Sequence, residues 1–373
     1  MKVHAPHIIN MKDRDKNLDL TNAFFRKVRM NKQKKYFADD IIQLSHGDGG
    51  LKSAQLINDL VFDYIGNDIL QKLEDSAVLK LDNNRSLAFT TDSFTVNPIF
   101  FPGGDIGKLS ICGTVNDLAT SGCKPLALSL SFILEEGFPI TDFKKILNSV
   151  SKMLDETGLR IITGDTKVVE KGSVDKIFIN TAGIGIVDNN YQISPSKIKP
   201  GDKIIINGGI AEHGLAILSQ RKEFDFKTDI ISDCAPLYDL VREMTSVSDQ
   251  IHALRDATRG GLAAVLFEIA RNSGLDINLS QENVPLQKQA RGICEFLGMD
   301  PLYIANEGKM VAFVGKDDAN KVLDIMRSNK YGKKSAIIGE VVKEGKGIVI
   351  LKTDIGTERF LDLHYSEQLP RIC

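Results

Sequence analysis

Nowhere in the 373-residue sequence does a run of roughly 18 apolar residues occur, so no membrane-spanning helix is expected. The first twenty residues carry charged and polar side chains where a secretory leader would have an apolar core. Cysteine is scarce and scattered. The five thiols stand at positions 112, 123, 234, 294 and 373 with no CxxC among them, which excludes a disulfide framework and a structural zinc knuckle and suits a reducing compartment. An excess of one charge is also missing. Lys and Arg number 47 against 49 Asp and Glu, and a net charge of −2 argues against a globally basic nucleic-acid binder. The chain is therefore expected in the cytoplasm, away from membranes and nucleic acid, with length for about two domains.

The near-neutral balance is uneven. Residues 1–36 hold ten Lys and Arg against three Asp, a net +7 that leaves −9 for residues 37–373. Such a leader reads either as a solvated extension or as a docking arm for an acidic partner. Beyond it, helical and strand patterns alternate. Leu51, Ala54, Ile57, Leu60, Val61 and Tyr64 repeat with helical period within residues 51–73, and Leu109, Cys112, Val115, Leu118 and Ala119 form a second stripe. Thr141 is expected to cap a helix that Gly158 ends. Strands are expected at Ala77–Leu81, Leu87–Thr91, Pro125–Leu134, Leu159–Thr163 and Lys176–Val187. The Pro- and Gly-containing stretch Asn189–Asp202 reads as a domain boundary. After it come a strand at Lys203–Asn207, helices at Ala211–Gln220, Ala235–Thr245, Gly261–Asn272 and Ala319–Ser328, and strands at Leu275–Leu279, Met310–Val314 and Ile337–Val342. This divides the chain into a basic extension (1–39), two α/β (α+β) domains with mixed sheets (40–190 and 191–362) and a tail (363–373).

Four features could carry chemistry. His46–Gly50 (HGDGG) packs three glycines into four positions before a helix; it lacks the Walker A spacing and reads as a glycine-rich turn or an anion loop. Asp75, Asp92, Asp117, Asp165 and Asp256 stand within or at the ends of elements, the usual place for caps, yet as a set beside such a loop they suit a hard cation and phosphate. Lys167 and Glu307 lie in Gly-flanked segments where side chains are often presented to a ligand. Lastly, Pro370 stiffens the approach to Cys373. A neighbouring carboxylate disfavours the thiolate, so this sulfur suits a swinging carrier better than a free nucleophile.

Taken in order, HGDGG, EDSAV, residues 91–137, TGDTKVV, INTAGIG, RDATRGGLA, PLYIANEGKMVAFV and the closing PRIC resemble the HypE family of hydrogenase maturation factors, within the AIR-synthase-like (PurM-like) ATP-binding superfamily. The resemblance runs from about residue 40 to 373. Two departures stand out: Asp48 where the family has a small residue, and Ala257 where RDPTRGG is common. The resemblance implies an N-terminal domain whose sheet joins its twin in a dimeric β-barrel, and a C-terminal α/β domain. It implies ATP-dependent dehydration of a carbamoyl group on Cys373 to a thiocyanate, the source of cyanide for [NiFe]-hydrogenase. HypF would load the thiol, and a HypC–HypD scaffold complex would take the cyanide.

The resemblance assigns Asp75, Asp92, Asp117 and Asp256 to Mg2+ and phosphate. Gly47, Asp48, Gly49 and Gly50 would lie along the ATP phosphates, with Asn116 and Asp165 nearby. Glu307 would be the base for the amide nitrogen, and Lys167 would stabilise phosphate charge or tune Glu307. Competing readings are a small-molecule kinase or synthase of the same superfamily, which would not need the PRIC tail, and a non-catalytic ATP-binding maturation scaffold. A selenide-activating relative would need a Cys within SHGDGG, and none is there.

Overall fold

The computed structural model describes residues 39–188, 193–221, 228–363 and 371–373. The basic leader, part of the expected boundary stretch and Pro370 lie outside the described residues.

Two sheets make up the framework. The first is five-stranded, ordered β1-β2-β7-β5-β6, from β1 (Ala77–Lys80), β2 (Arg85–Phe94), β5 (Lys124–Glu135), β6 (Ile161–Val169) and β7 (Ile177–Asp188). A small hairpin, β3 (Phe100–Phe101) with β4 (Gly104–Asp105), leads into the first long helix. The second sheet is seven-stranded, ordered β14-β13-β10-β12-β8-β11-β9. Its strands are β8 (Lys203–Ile206), β9 (Ile251–Asp256), β10 (Leu275–Ser280), β11 (Met310–Val314), β12 (Ala336–Glu344), β13 (Val349–Lys352) and β14 (Glu358–Leu361). The changeover falls between Asp188 and Lys203, inside the expected boundary.

The helices follow from the same logic of buried faces. They are α1 (Leu51–Gln55), α2 (Phe62–Ile65), α3 (Ile106–Thr120), α4 (Ile140–Thr157), α5 (Glu212–Leu218), α6 (Tyr238–Val247), α7 (Gly261–Ser273), α8 (Lys288–Leu297) and α9 (Ala319–Ser328). Helix α3 is buried nearly all round, polar residues included, so it acts as the spine between the two halves. It touches β2 and β7 on one side and β9 and α6 on the other. Asp105 caps it by accepting from the backbone N–H groups of Gly107 and Lys108, each at 2.9 Å. At Gly107 an added Cβ would meet the carbonyl oxygen of Ile146 at 2.5 Å, so only glycine lets α4 approach this closely.

Several sequence expectations change. Helix α4 begins one residue before Thr141 and is preceded by Pro139, with no side-chain cap; Gly158 ends it in the left-handed region as expected. The helical stretch at 51–73 stops at Ile65, with Leu56–Val61 in π-helical form, because Gly66 turns out of helical backbone (ψ 141°); a single 3-10 turn at Leu70–Lys72 follows. Strand β6 runs on through the TGDTK segment because it pairs in parallel with β5, Ser131 opposite Asp165 and Ile133 opposite Lys167. Strand β9 is unexpected: His252, Arg255 and Asp256 break its apolar pattern, and inside the fold His252 pairs with Asp202 and Arg255 with Asp75.

Candidate active site

The spine helix positions the first acid. Asp117 faces β2 and accepts a hydrogen bond from Thr90 Oγ1 at 2.7 Å; that hydroxyl also lies 3.0 Å from the carbonyl of Asp75. Asp92 lies on β2 near Gly113 of α3, whose missing side chain makes room for the Phe94 ring. Asp256 ends β9. Ala257 N–H donates to Lys309 O at 3.0 Å and Asn306 N–H donates to Ala257 O at 3.1 Å, which seats Asp256 beside the ANEGK loop. A proline at 257 would forfeit the first of these bonds, so the departure from RDPTRGG adds one tie between the two loops.

Asp75, Asp92, Asp117 and Asp256 thus form one electrostatic group. Burial raises Asp117 well above its ordinary value, and the charges of Asp256, Asp92 and Asp75 push it further. Burial and then Asp75 do the same to Asp256. Asp92 is raised by burial and partly relieved by Arg259. Asp75 is pushed up to about 6 by burial against the pull of Arg255, whose Nε is 2.9 Å away. Arg255 also bonds Glu268 and the carbonyl of Leu73.

Glu307 completes the acidic centre. It is 3 % exposed, and its Oε1 is buried without a hydrogen-bond partner. Burial, then the charges of Cys234, Asp256 and Asp92, raise it well above the usual carboxylate range. Its backbone is pinned from both sides. Asp233 accepts from the N–H groups of Glu307 and Gly308, each at 3.2 Å, and Asn116 Nδ2 donates to the carbonyl of Glu307 at 3.2 Å. Although burial opposes it, Lys309 at 2.9 Å holds Asp233 below its ordinary value.

The glycine-rich loop is more occupied than its sequence suggests. Gly50 N–H donates to Asp48 Oδ1 at 2.7 Å, and Gly49 N–H to Ser53 Oγ at 3.0 Å, so two of the expected phosphate donors are engaged inside the loop. Asp48 is therefore a turn-former here, an Asx arrangement, rather than a free charge. Gly47 gives its carbonyl to Arg259 Nη1 at 3.1 Å. Gly49 has φ +79°, and a Cβ there would lie 2.9 Å from Arg259 Cβ. The loop thus rests on Arg259.

Residues 371–373 come to rest in the seam between the halves. They run antiparallel beside residues 95–97, with Thr95 N–H donating to Cys373 O at 3.0 Å and Asn97 N–H to Arg371 O at 3.1 Å. Arg371 returns two bonds, Nε to Thr95 O at 2.9 Å and Nη1 to Asp175 at 2.7 Å. Ile372 is 4 % exposed in a cluster that draws on both halves, including Phe101, Ile217 and Ala305. Cys373 packs on the edge of that cluster. Burial pushes its thiol up to about 12, against the pull of Arg259 and with the push of Glu307 and Asp92. Arg259 in turn is held above its ordinary value by Cys373, Asp92 and Glu307, so its guanidinium lies within electrostatic reach of all three.

Three expected site residues lie otherwise. Asn116 is 1 % exposed and fully engaged within the protein: it donates to the carbonyls of Ala235 and Glu307 and accepts from Leu237 N–H. It staples α3 to the second half and has no amide group left for a nucleotide. Lys167 and Asp165 pair with each other at 2.6 Å on exposed β6, and the structure does not bring them to the acidic centre within one chain. Sequence reading also missed residues. Arg259 stood in the RDATRGG segment, Lys309 in ANEGK and Thr90 in TTDSF without being singled out, and Asp233 and His213 gave no signal beyond their type.

The acids suit a divalent cation. Asp75 Oδ2 is buried without a hydrogen-bond partner, and four carboxylates suppress one another's ionisation; a cation relieves both. Among the described residues, no three His, Cys, Asp or Glu side chains are already gathered around one point. A cation that keeps water and phosphate in its shell would need few of these carboxylates.

Known proteins resemble this chain in sequence and fold. Residues 73–187 match the family model of the AIR synthase related protein N-terminal domain, and residues 199–352 that of its C-terminal domain. The carbamoyl dehydratase HypE of Cupriavidus necator is 46 % identical over 332 residues, 89 % of this chain and 95 % of the relative. A chain in a solved HypE–HypF complex is 48 % identical with TM-score 0.78, covering 83 % of this chain and 99 % of that one. A HypE structure in complex with ATP is 43 % identical with TM-score 0.75, covering 89 % and 100 %.

Proposed function

The chain belongs to the HypE family of carbamoyl dehydratases, and from that premise we propose how its own residues carry the reaction out. The observation that carries the proposal is the seat of Cys373, beside Arg259, Glu307 and Asp92.

The substrate is an S-carbamoyl group on Cys373. Its oxygen takes the γ-phosphoryl of ATP: the bond from phosphorus to the β-bridging oxygen breaks, and one to the carbamoyl oxygen forms. The C–O bond then breaks with phosphate as leaving group and the nitrogen loses two protons, so S-carbamoyl and ATP become S–C≡N, ADP and phosphate. Glu307 accepts an N–H proton at Oε1. A carboxylate that ionises reluctantly is a strong base once ionised, and its unpartnered oxygen is free for the task. Asp233 and Asn116 hold the Glu307 backbone in place. Arg259 spans the glycine loop and the sulfur and would hold the transferring phosphoryl group. Asp75, Asp92, Asp117 and Asp256 would hold Mg2+, which neutralises triphosphate charge when bound. The loop at Gly47–Gly50 would serve the phosphates through its fixed shape. Cys373 is half-buried in its seat, which would limit the access of water to the elimination.

The high value of the docked thiol fits a neutral carbamoylated sulfur rather than a thiolate, so loading would occur with the tail withdrawn, on HypF. A HypC–HypD acceptor would take the cyanide in turn, in the cytoplasm. A homodimer is supported by the outer face of the first sheet, where Phe89, Leu126 and Ile133 are exposed. Lys167 and Asp165 lie on that open strand, so any role for them at the phosphates would require a second copy.

The test is intact-protein mass spectrometry after HypF, carbamoyl phosphate and ATP are supplied. The tail should gain a carbamoyl and then a nitrile, and Cys373→Ala should show neither while still binding ATP. Thiocyanate elsewhere on the Cys373→Ala chain would end the carrier assignment.

A further inference from the structure

Most of the hydrogen bonds that seat the tail come from backbone or from side chains that solvent reaches, but one comes from the interior. His213, in α5, is 0 % exposed, and its Nε2 lies 2.8 Å from the carbonyl oxygen of Ile372. The other ring nitrogen, Nδ1, lies 2.8 Å from Ser232 Oγ. That hydroxyl oxygen already accepts from Cys234 N–H at 3.1 Å, which leaves its proton for the ring. A carbonyl can only accept, so the proton on the imidazole sits at Nε2 and Nδ1 is the acceptor. Burial lowers the basicity of the ring and keeps it neutral, against the pull of Asp233. Phe101 packs edge-on against it, ring centres 5.4 Å apart at 88°. Ser232 is itself fixed, its N–H donating to Pro102 O at 2.8 Å, with Gly103 leaving room for the loop. The ring is thus held on every side but one, and its single N–H points at the tail.

We propose that His213 is the positioning residue of the carrier tail: its fixed Nε2–H reads the Ile372 carbonyl and so sets where the sulfur of Cys373 rests. If the tail withdraws, a buried donor loses its acceptor and Ile372 leaves its apolar seat, so the interior itself favours return. The relay Cys234–Ser232–His213–Ile372 starts in the loop whose Asp233 pins Glu307, so one short loop registers both the base and the sulfur. This deepens the reading of Cys373 as carrier and rests on it only for the second measurement below.

The first measurement needs no carbamoyl chemistry. The full chain is alkylated with iodoacetamide, and labelling of Cys373 is followed by peptide mass, the buried Cys112, Cys123, Cys234 and Cys294 reporting that the fold is intact. His213→Leu should label Cys373 about tenfold faster than the unchanged chain, while His213→Gln, which keeps a donor of similar reach, should stay within about threefold. Ser232→Ala, which frees the ring tautomer without removing the ring, should fall between and serves if the leucine variant does not fold. The second measurement is the single-turnover rate from carbamoyl to nitrile, which should fall in the same order with an unchanged KM for ATP. Equal labelling in all variants, or glutamine as fast as leucine, overturns the proposal. If labelling follows the order but no nitrile forms on any chain, the positioning role stands and the dehydratase reading falls.

Discussion

Two short acidic motifs of similar look, TTD at 90–92 and GDT at 164–166, lie in strands of the same sheet and meet opposite fates. Asp92 faces the spine helix, where burial resists its ionisation and Arg259 partly offsets that. Asp165 stands on the open edge strand, and Lys167 and a backbone N–H hold it below its ordinary value. The motif does not decide the chemistry; what covers the strand does. A buried carboxylate set stores unfavourable charge that a cation or phosphate-bound metal can release. An exposed pair stores almost nothing.

The contrast can be broken at several places. The largest effect is expected from Glu307→Gln, which should cut the carbamoyl-to-nitrile rate by about a hundredfold or more and leave the carbamoylated tail to accumulate; a normal rate would remove its role. Next, Asp256→Asn should weaken Mg-ATP binding about tenfold, read by calorimetry, yet raise the Tm of the ligand-free chain by a few degrees at pH 7.5, because it removes one of the mutually repelling charges. A lower Tm together with unchanged affinity would refute the buried-charge picture.

The pH dependence comes third. Asp75 ionises near 3.8 when unfolded and about 6 when folded, so the folded chain holds more protons across that window. Ligand-free stability should therefore fall as pH rises from about 4 through 6, and Asp117, Asp256 and Glu307 extend the fall upward. Mg-ATP should raise Tm more at pH 7.5 than at pH 5; equal shifts would argue against linkage through these acids. The smallest effect belongs to Asp165→Asn, which should leave the Tm unchanged within about a degree, a null result that the buried acids should not share.

Much of the framework is legible in the sequence because periodicity reports which face is covered. Strand β7, with strict alternation of burial, and helix α9, with the expected bounds, are read directly. Strand β9 is not, because its polar residues are satisfied by partners far away in sequence, such as Asp202 for His252. The same holds for the site. Asp75, Asp92, Asp117, Asp256 and Glu307 stand in recognisable motifs, and the structure brings them together. Arg259 was in view as part of a motif, but its reach to the sulfur depends on where the tail lands. Asn116 looked like a ligand from its neighbour Asp117, yet one step along a helix turns a side chain by about 100° and sends it into the other half. His213 carries no signal in the sequence because its meaning lies in an acceptor 159 residues away.

The pairing of residues 371–373 with 95–97 turns the end of the tail into a gauge graduated in pairs. The carbonyls of Arg371, which has φ +51°, and of Cys373 face one neighbour while that of Ile372 faces His213 on the other, so the two edges alternate residue by residue. One residue inserted between Ile372 and Cys373 would exchange the edges, handing the sulfur-bearing residue to the wrong side. Two would restore the parity but overshoot by about 7 Å. The tail is then subject to an odd-even rule as well as a limit on length, and a side-chain substitution that respects both should be better tolerated than the addition of a single glycine.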